Sequence, residues 1–287
     1  MEFYLISTDH LCEQLWFKDD EDFKVAMNYI AVVVFITGVT VLGFALMSNH
    51  VHFVVEASHK DAETFINQFK RLYAAYYRRK YGVSKFLRRN KADIRLLDYR
   101  EESVERGIAY TLMNPVAANI CLHPTGYRWS SCEPLFRERP AKGRPLKGFS
   151  QREQARILRS RIQLPEDWLL GEDGYILPDS FVAVRFVESI FRTPKRLAYF
   201  LNNSSKAKVR LNQREEGLPS FRDQVILSAL PDLNQSLFRK PRFEELTEGE
   251  RAELIRQVRF RFSADLHQIA RILGLPYSEV TRLLDLV

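Results

Sequence analysis

The stretch "VTVLGFALMSNHVHFVVE", residues 39–56, decides the fold. It holds two runs rich in apolar and β-branched residues, 39–48 and 50–56, split at Ser48-Asn49. Apolar runs of this length bounded by turn residues read as buried strands, and Ser-Asn supplies a tight turn between them. Working outward, "DDEDFKVAMNYIAVVVFITG" (19–38) opens with an acidic cluster suited to a helix N-terminus, and Phe23, Met27, Ile30 and Val34 share one helical face. "FYLIST" (3–8) reads as a strand. "DAETFINQFKRLYAAYYRRKYG" (61–82) reads as a helix with Asp61 as N-cap, Phe65, Phe69, Leu72 and Tyr76 on one face, and Gly82 as its stop. "DIRLLDY" (93–99) is a strand, and "EESVERGIAYTLMN" (101–114) a helix that ends or kinks at Pro115. The order β-α-β-β-α-β-α predicts an α+β, ferredoxin-like (RRM-like) antiparallel sheet with covering helices over residues 1–135. Residues 136–219 read as a basic linker, "RERPAKGRPLKG" (137–148), and a helical middle region. Residues 220–287 read as a helical C-terminal domain.

Apolar residues make up 46% of the 287 and charged residues 28%, which suits a globular chain with a full core. The net charge of +7 is compatible with a polyanionic partner. Three cysteines, Cys12, Cys121 and Cys132, without CxxC spacing argue against a disulfide framework and a zinc knuckle. The start "MEFYLISTDH" lacks the pattern of a signal peptide, so a cytoplasmic, nucleoid-associated protein is expected. Tyr29 to Met47 carries no charge over 19 residues, long enough for a membrane span. A break at Thr37-Gly38, with a helical pattern before it and β-branched residues after it, favours a helix followed by a strand and no membrane.

Strand side chains alternate, so His50 and His52 share a face about 7 Å apart. Two imidazoles on one strand can bind a divalent cation if a third ligand arrives from elsewhere. Alone the pair is weak evidence, and partly exposed sheet histidines are the plainer reading. A histidine-triad hydrolase needs a third histidine where Val54 stands. A cupin needs a Gly-rich all-β chain. The third class, the HUH nucleases, has two histidines around an apolar residue, as "HVH" does, and requires a tyrosine on a separate helix. Tyr110 and Asn114 lie four apart on one face of the 101–114 helix, where an amide oxygen can complete a metal site beside the phenol.

Together "MSNHVHFVV" (47–55), "FINQFKRLYAAYYRRKYG" (65–82), "YTLMNPVAANIC" (110–121) and "YRWSSC" (127–132) resemble the IS200/IS605-like single-tyrosine (Y1, HUH) transposases, most closely their REP-associated tyrosine transposase subgroup. The resemblance implies a metal-dependent single-stranded DNA endonuclease and strand transferase. Tyr110 would be the nucleophile, forming a 5′-phosphotyrosine, with Mg²⁺ or Mn²⁺ held by His50, His52 and Asn114. It also implies hairpin-forming single-stranded DNA as substrate and a homodimer.

Lys70, Arg71, Arg78, Arg79, Lys80, Arg88 and Arg89 form a dense basic patch. Interleaved with Tyr73, Tyr76, Tyr77 and Tyr81, it suits single-stranded DNA, although part of that set must pack inward. "ADLHQIARILGLPYSEVTRLL" (264–284) fits a helix-turn-helix, with Ala270 at the helix crossing, Gly274 at the turn and Val280 in the core. Ser278, Thr281 and Arg282 would then face duplex DNA, in a neighbourhood made basic by Arg256, Arg259, Arg261 and Arg271. The pattern also fits a plain helical hairpin. The alternative for the whole chain is a domesticated DNA-binding regulator acting through this element.

Overall fold

A computed structural model describes residues 2–118, 120–204, 221–262 and 264–285. The end of the middle region, 205–219, lies outside the described residues. The chain forms two compact units: one takes residues 1–9, 20–47 and 51–211, the other 10–19, 48–50 and 212–287.

The first unit is built on strands β1 (Glu2–Thr8), β2 (Thr40–Met47), β3 (His50–Ala57) and β4 (Ala92–Leu97), joined in the order β2-β3-β1-β4. Central β1 runs antiparallel to both neighbours, with Ser7 opposite His52 and Ile6 opposite Ile94. Helix α1 (Asp20–Thr37) joins β1 to β2, and α2 (His59–Tyr81) joins β3 to β4. This connectivity and strand order are the expected ferredoxin-like ones. Gly38 ends α1 at φ 68°, with its N–H on the Val34 carbonyl at 2.9 Å. The uncharged run 29–47 is therefore the end of a helix and a strand. Among the described residues no helix is long and apolar enough to cross a membrane.

Alternation along β3 sorts the two faces of the sheet. Phe53 meets Phe65 and Phe69 of α2, at ring centroid distances of 5.1 and 5.6 Å. Val54, on the opposite face with His52, joins Leu5 and the apolar side of α3 (Ser103–Ala117), including Ile108, Leu112 and Val116, in one core. The pleat thus puts the histidine face of the sheet under α3.

Three local features differ from the sequence reading. Helix α2 begins at His59, capped by the Ser58 hydroxyl, which accepts from the Asp61 N–H at 3.1 Å; Asp61 lies inside the helix and accepts from Ser58 in turn. Tyr73 and Tyr77 fill the inner face of α2 with Phe65, Phe69 and Tyr76, while Leu72 is half-buried. Helix α3 continues through Pro115 to Ala117. A proline inside a helix removes one backbone donor and costs about 3 kcal/mol. Here the Asn114 side chain supplies a donor, to the Thr111 carbonyl at 3.3 Å and the Tyr110 carbonyl at 2.9 Å.

The segment "YRWSSC" closes the outer edge of β2. Leu46 N–H donates to the Trp129 carbonyl at 3.0 Å, Ser131 N–H to Phe44 at 3.1 Å, and the Tyr127 hydroxyl to Leu46 at 2.6 Å. Trp129 stacks on Phe23 at 4.9 Å and 7°. An unpaired strand edge is a pairing hazard, and this strap covers it. Residues of the middle region belong to the same unit. A short pair, β5 (Gly143–Pro145) and β6 (Leu169–Gly171), lies within the stretch expected as linker and helices. Helices α4 (Gln151–Leu158), α5 (Val184–Phe191) and α6 (Pro194–Asn202) make up the helical part of the middle region. Buried Asn28 of α1 bonds the backbone of Ile157, Gly174 and Ile176, which ties this region to the helix.

The C-terminal part of the second unit is helical: α7 (Asp223–Phe238), α8 (Glu248–Phe262), α9 (Leu266–Leu273) and α10 (Tyr277–Leu284). Ile255, Val258, Ile269, Ala270, Val280 and Leu283 share its core. Gly274 ends α9 in the left-handed region, at φ 67°.

Candidate active site

His52 is buried, and its Nδ1 lies 2.8 Å from the Ser7 hydroxyl of the paired strand β1. This bond engages Nδ1 and fixes the orientation of the ring. His50 is buried as well. Its ring stacks on His10 at 3.7 Å, and its Nδ1 lies 2.8 Å from the Asn49 Oδ1. Asn49 donates its amide N–H to the Leu11 carbonyl at 3.0 Å, which fixes the amide with its oxygen toward His50. An oxygen acceptor requires the proton on Nδ1, so neutral His50 carries its lone pair on Nε2, the tautomer of a metal ligand.

Tyr110 projects from α3 onto the histidine face. Its ring meets that of His52 edge to face, with centroids 5.7 Å apart at 89°. It is half-buried, against the core under α3. Asn114 lies one turn on, buried. Its amide nitrogen is committed to the helix carbonyls, which sets the amide plane and leaves Oδ1 as its acceptor. Gly107, one turn before Tyr110, packs on Leu97; a Cβ there would come within 2.7 Å of a Leu97 methyl.

Two imidazoles and an amide oxygen suit a divalent first-row ion that keeps open positions for phosphate oxygens. Among the described residues no group of three or more His, Cys, Asp or Glu side chains could hold a metal ion. The donor chemistry fits.

Residues 14–91 match the profile of the family described as Transposase IS200 like. The chain carries an IS200-like transposase region. The match spans α1 to the last residue before β4, with both histidines and the basic helix, and it supports a transposase function. It is to the family as a whole and does not distinguish the REP-associated subgroup. No curated protein and no solved structure matches the chain significantly.

The basic patch of this IS200-like region divides once folded. Arg71, Arg78, Arg79, Arg88 and Arg89 are exposed. Lys70 is turned inward and donates to the Asn90 carbonyl at 2.6 Å; burial lowers its ammonium pKa against the opposing pull of Asp9. Lys80 pairs with fully buried Asp22 at 2.8 Å, beside the Tyr76 and Tyr81 hydroxyls on the same carboxylate. Tyr73, Tyr76 and Tyr77 are buried and present no ring to a base. Burial, and after it the Asp22 charge, raises the Tyr77 phenol above its ordinary pKa.

In the second unit, Ser278, Thr281 and Arg282 all lie on α10. The Thr281 hydroxyl bonds the Ser278 carbonyl at 2.9 Å. Arg282 pairs with Glu279 and Glu248, which offset its charge. Arg271 is drawn inward to buried Asp223 at 2.8 Å, alongside Gln268. The basic character expected around α10 is correspondingly reduced.

Two contributors carried no signal in the sequence. Ser7 is an ordinary strand serine until register places it against His52. Helix α6, part of the helical middle region, lines a cleft with Tyr110.

Proposed function

We propose that the protein is a metal-dependent single-stranded DNA endonuclease and strand transferase acting on hairpin-forming DNA through Tyr110. The observation that carries this reading is the edge-to-face contact of Tyr110 with His52, with Asn114 one turn away on the same helix. His50, His52 and Asn114 would hold Mg²⁺ or Mn²⁺. When bound, such an ion supplies Lewis-acid polarisation of the scissile phosphate.

The remaining chemistry belongs to the chain's own residues. The Tyr110 hydroxyl oxygen attacks phosphorus as its proton passes to solvent. The bond from phosphorus to the 3′ oxygen breaks, the 3′ oxygen takes a proton, and the 5′ phosphate stays on Tyr110 as an ester. One phosphate ester replaces another, so a second 3′ hydroxyl can reverse the step and join a new strand without ATP. Ser7 and Asn49 orient the imidazoles, and the α3 backbone orients Asn114. The exposed arginines Arg71, Arg78, Arg79, Arg88 and Arg89 would track the phosphates of the strand. A homodimer and a cytoplasmic, nucleoid-associated location accompany this reading.

Duplex binding through α9 and α10 is the secondary proposal, favoured by the left-handed Gly274 turn between two short helices. It would tether the nuclease near its site, or act alone in a domesticated regulator.

Incubation with single-stranded hairpin DNA and Mn²⁺ should trap a covalent protein–DNA adduct that Tyr110→Phe abolishes. An undiminished adduct in Tyr110→Phe sinks the assignment. Tight duplex binding that survives EDTA and His50→Ala, with no adduct on any hairpin, would favour the regulator.

A further inference from the structure

Tyr110 faces His52 on one side and, on the other, a cleft of about 580 Å³ between β4, α3 and α6. Tyr199 of α6 stands at this cleft, 62% exposed, with Phe200 held edge-on against its ring at 5.6 Å. Asn203, also at the cleft, donates its side-chain amide to the Tyr199 carbonyl at 2.8 Å and closes the last turn of α6. The ring is therefore presented from a fixed helix end. An exposed aromatic face beside a group that attacks DNA is what an unpaired base stacks on.

The charges around it identify the part of the nucleotide that fits. Arg95 and Arg106 stand against Asp98, Glu101 and Glu102. A phosphate track would be net basic, whereas here three carboxylates balance three guanidinium groups once the Arg196 partner of Glu102 is counted. Asp98 accepts from the Arg100 N–H, and Glu102 pairs with Arg196 at 3.0 Å. Glu101 is exposed. A carboxylate beside a stacked base accepts from an exocyclic amine, as acidic side chains do from cytosine N4, and it finds no such amine on thymine.

We propose that this cleft binds one unpaired nucleobase next to the phosphate attacked by Tyr110. The base stacks on Tyr199, and its exocyclic amine donates to Glu101, so cytosine, adenine or guanine is taken over thymine at that position. The inference rests on the reading of Tyr110 as nucleophile. It is tested by a measurement that needs no chemistry.

Fluorescence anisotropy of the full chain with short labelled oligonucleotides of cytosine or thymine, in metal-free buffer, reads the cleft directly. Wild type should bind the cytosine strand more tightly. Tyr199→Ala should weaken that binding about tenfold and Tyr199→Phe by less than about twofold, since stacking needs the ring alone. Glu101→Gln should remove the preference for cytosine. Equal binding by wild type and Tyr199→Ala, with both folded by circular dichroism, overturns the inference, as does an absent cytosine preference in wild type. Adduct formation with unchanged Tyr199→Ala affinity overturns the cleft alone. A Tyr199-dependent affinity without any adduct overturns the nucleophile and leaves the base cleft standing.

Discussion

The Asn114 side-chain amide donates to the carbonyl of Thr111, the acceptor that Pro115 leaves without its usual backbone donor. One residue thus repairs the helix and, in the proposed function, offers its oxygen to a cation. The two roles separate by substitution. Asn114→Ala leaves the Thr111 carbonyl buried and unmatched, at a cost of about 1–3 kcal/mol. Urea denaturation without metal should show that loss. Unchanged stability would mean that water or a neighbour replaces the amide, and that its place in the helix is not structural.

The Ser7 hydroxyl sets the His52 ring through Nδ1. Partners of this kind typically alter metal affinity by about 10–100-fold. Ser7→Ala should weaken Mn²⁺ binding on that scale by calorimetry while leaving the circular dichroism spectrum unchanged. Ser7→Thr, which keeps the hydroxyl, should restore most of it. Equal Mn²⁺ affinity in all three proteins would remove Ser7 from the site.

Asp22 is fully buried and accepts from Tyr76, Tyr81 and Lys80. Removing the shared acceptor from a buried phenol, a half-buried one and a partly covered ammonium is expensive. Asp22→Ala is expected to cost about 3 kcal/mol in chemical denaturation. Lys80→Met should cost less, because the carboxylate keeps both phenolic donors. The reverse ranking would show that the ion pair outweighs the two hydroxyl bonds.

Glu250 carries a pH dependence. The Lys240 ammonium, and after it the Thr247 backbone N–H, hold its carboxyl down at about 2. Its folded pKa is below the ordinary value of 4.5, so the native state favours the charged form. Its stabilising contribution is fully present above pH 4.5 and is lost as pH falls toward about 2. Urea midpoints measured across that window should fall more steeply for wild type than for Glu250→Gln. Parallel curves would contradict the pairing.

The order of elements in the first unit was legible in the sequence because it is written in short-range terms. The Ser48-Asn49 turn, the Gly38 and Gly82 stops and the alternation of "HVHFVV" each concern a few neighbouring residues. Helix α3 runs on to Ala117 instead of ending at Pro115 for an equally physical reason. The missing N–H of Pro115 is visible in the sequence, whereas the compensating amide sits in a side chain whose donor only the folded helix aims. The basic helix was read as one patch. Asp22, in the first turn of α1 and distant in the chain, pairs with Lys80, and the Asn90 carbonyl accepts from Lys70.

By itself, the sequence determined the βαββαβ order, the shared face of His50 and His52, and the one-turn spacing of Tyr110 and Asn114, because backbone periodicity alone sets these. Tertiary structure decided that α3 lies over the histidine face, so that Tyr110 meets His52. It also decided that Ser7 aligns that histidine, and that α6 walls the cleft beside the tyrosine. Those relationships come from strand register and from burying the apolar side of α3 against Leu5 and Val54. Such choices are settled by packing between residues distant in the chain, which no local pattern encodes.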